Sequence, residues 1–105
     1  MGMYKVTPNI LPITDLTYQP LGEITIFTLW NKGTTNVIYG FGDVTEELKP
    51  GQTVTFEAGA NSVFTSSSKL VVDFKKVGSS DVNLCSMQFN RLTDASRAVA
   101  NIIEK

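Results

Sequence analysis

The chain contains no histidine and a single cysteine among its 105 residues. Without histidine, any proton transfer near neutral pH would fall to carboxylates, lysines or tyrosines. With one cysteine, no internal disulfide can form. Cys85 lies in a strand-like context with no neighbouring base or cation, and reads as a small buried side chain rather than a reactive thiol. No apolar run approaches the ~20 residues that a membrane-spanning helix needs. The first residues, Met1 to Val6, lack the apolar stretch of about 7–15 residues expected of a secretory signal. Gly2 stands at the myristoylation position, but Val6 occupies the place where Ser or Thr is wanted. These absences predict a protein made and kept in a cytoplasm, or assembled there into something larger, with no membrane partner.

Charge is equally sparse. The formal net charge is −1 and the pI is about 5.2, and binding to a phosphate backbone needs a clustered basic face. The adjacent pair Lys75-Lys76 would point to opposite faces of a strand, so no nucleic-acid partner is expected. Asp43, Glu46 and Glu47 form the one acidic cluster, without the alternating oxygens of a calcium loop, and read as a solvated loop. Gly40-x-Gly42 is too short for a dinucleotide fingerprint and does not precede a helix. Ser66-Ser67-Ser68 has no partner base. Catalytic, metal-binding and cofactor-binding residues are all expected to be absent, and the chain is not expected to be an enzyme.

What the sequence does contain is β-structure. At 42% apolar and 18% charged, it reads as one globular domain over residues 1–105. Asn31-Lys32-Gly33-Thr34 is a turn feeding the β-branched segment Asn36 to Tyr39. Pro50-Gly51 suits the centre of a type II turn, feeding Thr53 to Glu57 with Val54 and Phe56 inward. Gly22 to Asn31 is the longest strong strand. Ile24, Ile26 and Trp30 are expected on one face, with Phe27 and Leu29 on the other, which suits a central strand. Gly40 to Asp43 breaks the pattern, and Val44 to Lys49 reads as a polar loop. Ser62 to Thr65 reads as a short strand. Lys69 to Val77 alternates, with Leu70, Val72 and Phe74 inward. Gly78 to Asp81 then reads as a hairpin loop returning Val82 to Leu92 beside it. Phe56, Val72 and Phe74 are expected to be fully buried.

Both ends differ from this middle. Residues 1–21 form an arm punctuated by Pro8, Pro12 and Pro20, which cannot donate to a central ladder and so belong at a sheet edge or over the surface. Residues 94–104 show one apolar stripe, Ala95, Ala98, Val99, Ile102 and Ile103, at helical spacing after a capping Thr93 or Asp94. Such a helix must dock on its own sheet or in a groove on a neighbour. The sequence therefore predicts an all-β antiparallel sandwich, immunoglobulin-like or jelly-roll, with a short C-terminal α-helix. The expected interaction surface comprises Ile10, Leu11 and Ile13 of the arm with Trp30, Tyr39 and Phe41. Those three aromatics serve either to close the core edge or to form a platform for a glycan or a protein.

The stretch Ile26 to Phe56, with Asn31-x-Gly33-Thr34, Val37, Leu48-x-Pro50-Gly51 and Phe56, resembles small immunoglobulin-like or jelly-roll modules of tailed-bacteriophage virions. These include capsid-decorating, head-fibre and tail-associated proteins. The resemblance covers about a third of the chain and implies a non-enzymatic structural or decorating role in a virion assembled in the host cytoplasm. The implied partners are capsid or tail proteins, or further copies of the chain itself. It carries over no catalytic residue. The alternative expectation is a carbohydrate-binding or adhesive sandwich.

Overall fold

The alternating segments form eight strands in a computed structural model that describes residues 6–59, 62–75 and 78–92. They are β1 (Val6–Ile13), β2 (Thr17–Pro20), β3 (Ile24–Asn31), β4 (Asn36–Phe41), β5 (Val44–Leu48), β6 (Thr53–Glu57), β7 (Lys69–Lys75) and β8 (Cys85–Leu92). Two four-stranded antiparallel sheets result, in the orders β1-β8-β3-β6 and β2-β7-β4-β5. They pack as a sandwich around Leu21, Ile24, Phe27, Leu29, Val37, Leu70, Val72, Cys85 and Met87, all at most 1% exposed. The expected C-terminal helix lies outside the described residues.

The prolines fall where their missing N–H groups do least harm. The arm supplies β1 to one edge of the first sheet and β2 to one edge of the second. The Pro-Gly turn forms as its chemistry dictates: Gln52 N–H donates to Lys49 C=O at 3.0 Å. Gly51, at φ 84°, occupies the left-handed position of a type II turn.

Several expectations are corrected. Val44 to Leu48 is not a loop but strand β5, joined to β4 by the two-residue turn Gly42-Asp43. Gly42 sits at φ 63° in the first central position, as a type II′ hairpin requires. β5 escaped recognition because four of its five residues are exposed and two are glutamates. Residues Lys69–Lys75 and Cys85–Leu92 do not form a hairpin: β7 belongs to the second sheet and β8 to the first. Ser62 to Thr65 supplies only a parallel bridge, Gly22 with Phe64. In β3 the register with β8 shifts between Ile24 and Ile26. The extra residue turns Ile24 inward with Phe27 and Leu29, while Ile26 and Trp30 point outward. Val72 is fully buried, but Phe56 and Phe74 are only half-buried, packed against the core from its rim.

Candidate functional site

The two outer faces of the sandwich differ in chemistry. On the second sheet, strand parity turns Lys69, Asp73 and Lys75 of β7 and Glu47 of β5 toward solvent. Lys75 Nζ lies 3.1 Å from Glu47 Oε1, and Asn36 donates to Glu47 Oε2 at 3.0 Å. The hydrogen bonds from Lys75 and Asn36 hold the Glu47 carboxyl below its ordinary range. This is a solvated, charged face.

The outer face of the first sheet has almost no charge. Side by side, β1 presents Pro8, Ile10 and Pro12, β8 presents Ser86, Gln88 and Asn90, and β3 presents Ile26, Thr28 and Trp30. Thr53, Thr55 and Glu57 of β6 complete it. Thr28 and Thr55 join hydroxyls across the strands at 2.8 Å. Lys32 Nζ stands 4.6 Å from the centre of the Trp30 ring, a cation held by the aromatic face. Ile10 is 72% exposed and Trp30 38%. Beside Ile10 runs a shallow groove of about 330 Å³, lined by Pro8, Ile10, Ile26, Thr28, Gln88 and Asn90 among others. With Glu57 and Lys32 its charged groups, a face otherwise of amides, hydroxyls and apolar groups suits a neutral ligand or the uncharged surface of another protein, because little charge must be desolvated on contact.

The residues expected to form one interaction surface are dispersed. Ile10 and Trp30 share the uncharged face. Leu11 points inward and packs partly against the core, and Ile13 is 2% exposed. Tyr39 is buried in the opposite sheet, where burial, then the Glu46 charge, raises its phenol above the ordinary value. Phe41 lies at one end of the core, its ring 5.4 Å from Phe56 and 6.5 Å from Phe27. Trp30 therefore does not share a platform with Tyr39 and Phe41. The residues that do surround it, Ser86, Thr28 and Thr53, come from three strands, and two of them meet it through cross-strand register, which is not a local property of the sequence.

No protein-family model, curated protein or solved structure matches the chain. Among the described residues, no three of Cys, Asp and Glu gather closely enough to hold a metal ion. The nearly uncharged face, with Ile10 and Trp30, is the strongest candidate site.

Proposed function

We propose that the protein is a non-enzymatic jelly-roll module of a bacteriophage virion, made in the host cytoplasm, which binds other virion proteins of capsid or tail. The observation that carries this reading is the strand pairing. β1 pairs with β8, β2 with β7, β3 with β6 and β4 with β5. That nested set is what results when one long antiparallel hairpin is rolled into two sheets, an architecture recurrent in capsid and lectin domains. The turn motifs that carry the virion resemblance, Asn31-x-Gly33 and Leu48-x-Pro50-Gly51, support it by lying together at one corner of that roll. The uncharged outer face, with Ile10 and Trp30, is the docking surface in this reading. The test is co-purification of the full chain with assembled particles. Retention in wild type and its loss in an Ile10→Asp, Trp30→Asp double variant that still folds is the expected result. Absence of the protein from particles would end the virion reading.

A second reading, a carbohydrate-binding module, is favoured by one feature: Trp30 stands exposed beside amides and hydroxyls on a face with little charge. A glycan array separates the two. Binding that disappears in Trp30→Ala selects the glycan reading; no binding by the folded wild type removes it.

A further inference from the structure

Four strands end the two sheets, and three of them are guarded against further pairing. Leu92 N–H donates to Glu23 C=O and Lys32 N–H to Leu84 C=O, so even-numbered residues of β8 serve β3 and odd-numbered ones serve β1. The β1 partners are Thr7, Asn9, Leu11 and Ile13. Pro8, Ile10 and Pro12 therefore face the open edge, and two of these three have no N–H to offer. On β2, Leu21 N–H donates to Ser68 C=O, which turns Tyr18 and Pro20 outward. On β5 the outward residues are Thr45 and Glu47, beside Glu46, and charge is a recurrent protection of edges.

β6 has no such guard along its length. Asn31 N–H donates to Gln52 C=O and Ala58 N–H to Thr25 C=O, so the even-numbered residues of β6 serve β3. The N–H and C=O groups of Thr53, Thr55 and Glu57 point away from the sheet, and no strand among the described residues pairs with them. The strand holds no proline or lysine, and its one charge, Glu57, is at its end.

We propose that this edge pairs antiparallel with the same edge of a second copy, about a two-fold axis at Thr55. The strand is self-complementary in that register. Thr55 faces Thr55 of the other copy and Thr53 faces Glu57, so no like charges oppose each other. On the inner face Val54 meets Phe56, and both are only half-buried in one copy. Each facing pair of outward residues exchanges two backbone hydrogen bonds, about six in all, and the two first sheets become one continuous sheet. Isologous pairing of this kind closes at two copies. This pairing needs nothing from the virion reading.

The test uses the full chain. Light scattering on the purified protein should give twice the chain mass, and Thr55→Lys, which sets two ammonium groups face to face, should give the single mass with an unchanged β-sheet circular-dichroism spectrum. Thr55→Cys supplies the positive test. Facing hydrogen-bonded residues have Cα atoms about 5.5 Å apart, within the range a disulfide spans, so mild oxidation should link two copies. Thr53→Cys, which faces residue 57 instead, should not link. A single mass at several hundred micromolar with no Thr55→Cys dimer overturns the proposal, as does equal linking of both cysteine variants.

Discussion

The side-chain amide of Asn31 donates to the carbonyl oxygen of Leu48 at 2.8 Å, across 17 positions of sequence. The same nitrogen donates to Thr35 C=O at 2.8 Å, and Oδ1 accepts from Gly33 N–H at 3.1 Å. Its backbone N–H and C=O are paired with Gln52 and Gly51. Asn31 is 0% exposed and fully satisfied. It clamps the end of the central strand β3 to the β3–β4 corner and to the turn between β5 and β6.

Removing that side chain leaves buried polar groups without partners. Asn31→Ala should destabilise the fold by roughly 2–4 kcal/mol, taking about 1–3 kcal/mol for each buried group left unpaired and partial relaxation. Asn31→Asp should be worse at neutral pH, since a carboxylate would face two carbonyl oxygens. Burial and those oxygens raise its folded-state pKa above the unfolded value of about 3.9. The variant therefore recovers stability as pH falls and loses it as pH rises through that range. Urea melts at pH 4 and pH 7 check both the size and the sign.

Gly33 is required by space. A Cβ there would lie 2.1 Å from the Val82 carbonyl oxygen and 2.8 Å from the Leu84 nitrogen, both of them backbone. Neither can turn aside as a side chain would, and Gly33 N–H is itself bonded to Leu84 C=O at 3.0 Å. Gly33→Ala should lower stability by about 2 kcal/mol or more through overpacking. A denaturation midpoint equal to that of wild type would show that the 82–84 segment moves freely.

Phenylalanines at the centre and rim of the core should respond differently. Phe27 is 1% exposed and packs against Phe56 and Phe64 with ring centres 5.3 and 5.6 Å away. Phe27→Ala should cost about 3–5 kcal/mol. Phe74, half-buried at the rim, should cost less. Melts of the two variants side by side would refute the assigned layers if the order reversed.

Cys85 should be inert in the native state. Burial pushes its thiol up to about 11 from 9.0, against a smaller opposing effect of a hydrogen bond with the Trp30 backbone. The thiolate is the reactive form, so labelling at neutral pH should proceed only as fast as the protein opens. The unfolded thiol ionises first, near pH 9, while the folded one stays protonated until about pH 11. This contribution to stability is complete below pH 9 and is lost as pH rises from 9 to 11. Thiol titration with and without denaturant measures both values.

Much of the fold is legible in the sequence because turn chemistry is local. Pro50-Gly51 and Asn31-x-Gly33 announce their corners, and the prolines of the arm announce edges. Sheet membership is not local. Nothing in Gly78 to Asp81 says that β8 joins the opposite sheet from β7, because that depends on the partners β8 finds at β1 and β3. The charges of β5 mark an edge strand, yet at the level of residues they look like those of a loop. The site was legible only in part for a related reason. Ile10 and Trp30 stand out as exposed apolar residues, but Thr28, Gln88 and Asn90 join them through register alone.

The placement of β8 has a consequence for the birth of the chain on the ribosome. β8 sits between β1 and β3, pairing Val6 with Leu92 at one end. Until residues 85–92 emerge from the exit tunnel, β1 has no neighbour in its sheet and β3 has only β6. The β4–β5 hairpin can close early, because its two strands adjoin in sequence, whereas the first sheet waits for β8. The first sheet is therefore incomplete until β8 has been made, as expected where distant pairings dominate. A nascent chain stalled before β8 clears the tunnel should remain open to protease, and one stalled after it should become resistant.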